Sequence, residues 1–159
     1  MKKKVLTHLA VFTIIFVIAA IYRAESGNVR YINFTDAVIM VLLTHADAPY
    51  AAITAGLATS LADIATGYGY YAPYTFILKG ITAFLIALGH HKHWKNEAVC
   101  IILGILNVVG CSLCDYMLFG TVETLLRSLR IYSVQSLISV VIAIMANRYT
   151  KDIKDRYLK

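Results

Sequence analysis

Asp63 and Lys79 flank a turn written TGYGYYAPY, and each stands alone in an otherwise apolar run. A charge at mid-bilayer depth costs at least ~2.5–3.5 kcal/mol, so such a residue faces a partner or a polar cavity. The two lie at similar depth on neighbouring segments, which suits either a structural ion pair or the wall of a binding site. Asn33, Asp36, Asn107, Asp115, Tyr116 and Gln135 punctuate other apolar runs near the same depth, and they supply more polar groups than one ion pair needs. Tyr68, Tyr70, Tyr71 and Tyr74 crowd the turn itself. Tyrosines at a membrane surface form an ordinary aromatic belt. At this density they also suit stacking on a flat ring with a hydrogen-bonding tip. The expected site is therefore a cavity built from Asn33, Asp63, Tyr71, Tyr74, Lys79, Asn107, Asp115, Tyr116 and Gln135. The segment SGNVRYIN, with Asn28, Arg30 and Tyr31, would fold over it as a lid.

Other motifs carry less. CSLC sets Cys111 and Cys114 at redox or metal spacing, but inside an apolar run with no second pair, where cysteine behaves as a small hydrophobe. HHKHW brings His90, His91 and His93 beside Trp94, an interfacial anchor, and reads as a membrane-surface turn. No G-x-x-x-x-G-K-[ST] loop, Ser-His-Asp set or H-E-x-x-H motif is present. The residues call for no metal, no cofactor and no catalytic role.

The elements that must hold these groups follow from composition. The chain has 159 residues, 59% hydrophobic and 15% charged, with a mean hydropathy of +0.68. Soluble domains are about 45–50% apolar and about 25% charged. Six apolar segments stand out, near 5–23, 34–45, 49–64, 74–90, 98–119 and 131–147. The basic start and long first run, with no small-x-small cleavage site, read as a span that stays. The second segment is too short to cross ~30 Å as a straight helix. Ala51, Ala55, Ala58 and Ala62, and Gly104 with Gly110, mark close helix packing.

Lys2, Lys3, Lys4, Lys92, Lys95, Arg148, Lys151, Lys154, Arg156 and Lys159 fall at one side of a six-span arrangement. The positive-inside rule makes that side cytoplasmic. The net charge of +6 is then a matter of topology, not of nucleic-acid binding. The opposite connections, AESGNVRYIN, TGYGYYAPY and GTVETLLRSLR, face outward. The expected fold is an all-α integral membrane protein: one domain over 1–159, a six-transmembrane-helix bundle with both termini cytoplasmic, in a bacterial plasma membrane.

YINFTDAVIMVL, LADIATGYGYYAPYTFILKG and IYSVQSLISVVIA resemble the substrate-binding S component of energy-coupling factor (ECF) transporters. The nearest likeness is to the riboflavin-type family that also holds hydroxymethylpyrimidine and pyridoxine carriers. The resemblance runs from about Tyr31 to Ala143. It implies a six-helix subunit that captures a vitamin outside the cell. Such a subunit works with a transmembrane T component and two cytoplasmic ATPases, and is not itself an enzyme. It also implies a ligand site in the outer half, under the loop joining the first two helices. Family members often carry an A-x-x-x-A face early in the first helix for docking the T component. Here the pair is Ala20 and Ala24, nearer the outer end. The polar groups favour a small neutral ring: pyridoxine-type first, hydroxymethylpyrimidine second, riboflavin third, with thiamine less suited because a cation wants an aromatic cage and more carboxylates. The competing class is a stand-alone small channel or an integral-membrane enzyme.

Overall fold

A computed structural model describes the backbone of residues 2–25 and 34–157, and side chains at 7, 9–21 and 34–150. The expected lid residues Asn28, Arg30 and Tyr31 and the expected site residue Asn33 lie outside the described residues, as does the side chain of Ala24. The described residues fold into helices: α1 (Lys2–Glu25), α2 (Thr35–Leu42), α3 (Ala48–Ala65), α4 (Ala72–His91), α5 (Asn96–Phe119) and α6 (Val122–Tyr157). Helices 72–91, 96–119 and 122–150 are long and apolar enough to cross a membrane unaided, and α1 holds a shorter apolar stretch, Leu9–Ile21. At 1.5 Å per residue the 8 residues of α2 reach only about 12 Å.

Proline and glycine set the ends. Pro49 and Pro73 stand in the first turns of α3 and α4, where the missing N–H costs nothing. α5 stops at Gly120, whose φ of 68° is left-handed and whose N–H donates to the Tyr116 carbonyl at 2.8 Å. Here the structure corrects the sequence reading. GTVETLLRSLR is not an outer connection: α6 begins at Val122, and Gly120 and Thr121 alone separate it from α5. Thr121 caps the new helix, its Oγ1 accepting from the Thr124 N–H at 3.2 Å. Nothing in VETLLRSLR breaks a helix, and its first turn carries Glu123 against the positive end of the dipole.

Helix α3 packs along α4, α1 lies on α3, α5 pairs with α6 and also with α4, and short α2 touches α1, α4 and α6. Small residues allow these approaches. Ala51, Ala55, Ala58 and Ala62 are fully buried. A Cβ on Gly56 would stand 2.9 Å from the Phe76 carbonyl oxygen, and one on Gly104 would stand 2.6 Å from Val140 Cγ2. The large side chains Ile77, Ile102, Ile105, Leu137 and Met145 point outward and exposed, as a bilayer-facing surface requires.

The histidines of HHKHW serve the fold. His45, in the turn after α2, shares a 2.9 Å hydrogen bond with His90, and His91 Nε2 donates to the Ala46 carbonyl at 3.1 Å. Together they tie that turn to the end of α4. Among the described residues, no group of three or more His, Cys, Asp and Glu is placed to hold a metal ion.

Candidate ligand site

Two buried networks flank a cavity at the tyrosine-turn end of the bundle. In the first, Lys79 on α4 forms an ion pair with Asp36 on α2, both side chains being at most 7% exposed. Its ammonium also donates to Asn107 Oδ1 on α5 at 2.7 Å. Asn107 in turn donates through Nδ2 to Thr82 Oγ1 at 3.1 Å and to the Leu103 carbonyl at 2.9 Å. Gln135 on α6 donates to the other oxygen of Asp36 at 3.4 Å. One buried ion pair thus joins four helices.

In the second network, the Tyr71 hydroxyl donates to Asp115 Oδ1 at 2.6 Å. Ser128 donates to the other oxygen of the same carboxylate. Asp115 and Ser128 are fully buried, and Tyr71 nearly so. The start of α4, the end of α5 and the first turns of α6 are thereby fastened to one another. The rings of the turn pack among themselves, with Tyr70 and Tyr71 centroids 4.8 Å apart and Tyr71 6.5 Å from Phe119.

Between the networks lies a cavity of about 60 Å³. Of the expected site residues, Asp63, Tyr71, Tyr74, Lys79 and Gln135 line it. Asn107 sits beneath Lys79, and Asp115 holds Tyr71, so these two act through residues of the wall. Tyr116 is not in the wall; it is exposed on α5. The wall also includes Thr35, Thr59, Thr75 and Tyr132, which sequence reasoning did not single out. Cys111 and Cys114, read from the sequence as small hydrophobes, line it too and form no disulfide.

The ion partner is the other departure. The sequence suggested that Asp63 could pair with Lys79 or line a cavity beside it; Asp63 lies in the cavity wall, and Asp36, from the shortest helix, forms an ion pair with Lys79. A lone aspartate in TDAVIMVL was the available signal, since an apolar segment this short has little reason to carry a charge. Ser128 was hidden because its segment read as a loop.

A pocket lined by polar side chains between apolar helices has the chemistry to hold a small polar molecule. The chain matches the family model described as ECF-type riboflavin transporter, S component, over residues 3–151. It belongs to that family: it is a vitamin-binding subunit of a multi-pass membrane transporter, not an enzyme. No curated protein and no solved structure matches it.

Proposed function

We propose that the protein captures a small heteroaromatic vitamin, of pyridoxine type or hydroxymethylpyrimidine, from outside a bacterial cell. It then passes the vitamin inward together with a T component and two cytoplasmic ATPases. The observation that carries this reading is the polar, tyrosine-roofed cavity between the two networks, in a chain whose outer surface is apolar. Among the described residues the cation in the wall, Lys79, is paired with Asp36, so the wall presents hydrogen-bonding groups beside an ion pair. Tyr71 and Tyr74 supply ring faces, and Thr59, Thr75 and Tyr132 supply hydroxyls. The volume of about 60 Å³ is far below the roughly 300–1,000 Å³ of drug-sized sites, so each candidate requires the site to widen, and the smallest rings require it least.

Riboflavin is the second reading, favoured by the description of the matching family. It requires the cavity to widen more than the small rings do. Equilibrium titration of the purified protein with pyridoxine, hydroxymethylpyrimidine, riboflavin and thiamine separates the two. The proposal expects one of the small rings to bind most tightly. Tight binding of riboflavin with neither small ring bound would replace the first reading by the second.

A further inference from the structure

Gln135 lines the cavity and is 5% exposed. A glutamine amide has two unlike ends: Oε1 only accepts hydrogen bonds and Nε2 only donates. Here a neighbour decides which end points where. Nε2 faces Asp36 Oδ2 at 3.4 Å, and an ionised carboxylate accepts only. Lys79 occupies the other oxygen of Asp36 and holds that carboxylate in place. With its donor end committed, Gln135 leaves Oε1 buried and without a hydrogen-bond partner among the described residues. A buried acceptor in this state is costly until a donor reaches it.

The hydroxyls of Tyr74, Thr75 and Tyr132 in the same wall can donate or accept, so they suit a ligand group of either polarity. Gln135 cannot adapt in that way, because turning its amide would set Oε1 against the Asp36 carboxylate. We infer that the ligand presents a hydrogen-bond donor, a ring amine or a ring N–H, to Gln135 Oε1. The chain Lys79–Asp36–Gln135 therefore makes the site selective for rings that carry that donor. This rests on the reading of the cavity as the vitamin site. Among the small rings it favours the aminopyrimidine.

The test compares two ligands that differ in one group: hydroxymethylpyrimidine with its ring amine, and the same ring with hydrogen in place of the amine. Both are titrated against the wild-type protein and against Gln135→Leu, with a melting curve to establish that the variant is folded. Wild type is expected to bind the amine-bearing ring about tenfold to a hundredfold more tightly, the effect of one buried hydrogen bond. Gln135→Leu is expected to bind both within about threefold of each other. Equal binding of the two rings to wild type overturns the inference and leaves the vitamin-site reading standing; that comparison needs no variant. Undiminished discrimination in Gln135→Leu also overturns it. If only riboflavin binds, the small-ring reading fails. The same comparison then runs between riboflavin and its derivative methylated at the imide nitrogen, with equal binding as the overturning result. If none of these compounds binds, both the inference and the vitamin-site reading fall.

Discussion

Lys79 and Asp36 form a buried ion pair that joins the middle of α4 to the first turn of the shortest helix, α2. Removing one partner of such a pair strands the other charge, and that costs far more than the pair itself contributes. Lys79→Met is expected to destabilise the protein by about 3–5 kcal/mol, read as a lower melting temperature in detergent. Asp36→Asn combined with Lys79→Met should recover most of the loss. A single variant as stable as wild type would show that Asp36 does not depend on the lysine charge.

Tyr71 and Asp115 fasten the tyrosine turn. Tyr71→Phe removes a hydrogen bond to a charged acceptor and should cost about 1.5–3 kcal/mol of stability. The loss should shrink when Tyr71→Phe is placed in an Asp115→Asn background, since the two act through one contact. Melting curves on the two single variants and the double variant measure the coupling. Strict additivity would mean that the hydrogen bond contributes nothing.

Two glycines of α5 separate steric necessity from convenience. A Cβ on Gly104 would meet Val140 Cγ2 at 2.6 Å and Ser136 Oγ at 2.8 Å. Valine is stiff at χ1, and Ser136 is held by its bond to the Gly104 carbonyl at 2.8 Å. Gly104→Ala should therefore destabilise by about 1–3 kcal/mol. A Cβ on Gly110 would meet Leu78 Cδ1 at 2.5 Å, the movable end of a flexible side chain. The helix preference for alanine, about 1 kcal/mol, then offsets the crowding, and Gly110→Ala should stay near wild type. Equal effects of the two substitutions would mean that α5 and α6 can part more easily than their packing implies.

How much of this was legible in the sequence differs from element to element. Ala51, Ala55, Ala58 and Ala62 announced a packed face, because four small residues at helical spacing leave room for nothing else, and all four are fully buried. The polar residues announced a cavity, because groups that are costly in lipid had to be gathered somewhere. Their pairing was not legible. Depth along a helix follows from residue number, but the face a residue presents depends on how neighbouring helices rotate, and so the ion pair of Asp36 with Lys79 could not be read from spacing. The start of α6 was obscured by charge. Arg127 and Arg130 made VETLLRSLR look like a surface connection, whereas a helix longer than the bilayer carries such residues beyond the apolar layer without being interrupted.

If the proposed partner ATPases drive transport, this subunit binds its vitamin but does not concentrate it alone. In liposomes holding only this protein, labelled vitamin should bind at the membrane without rising inside above the external level. Uptake against a gradient should appear when a T component and its ATPases are added with ATP. Concentrative uptake by the single chain would contradict that division of labour.

The most direct measurement is the identity of the molecule the protein carries. The chain is produced in a host grown with pyridoxine, hydroxymethylpyrimidine and riboflavin all supplied, purified in mild detergent, denatured, and the released small molecule is identified by mass spectrometry. The account predicts one small heteroaromatic vitamin in near-equimolar amount, strongly reduced when Asp36→Asn and Lys79→Met are combined in a protein that still folds. A folded, purified protein that carries no vitamin under these conditions, or retains one undiminished in the double variant, would contradict it.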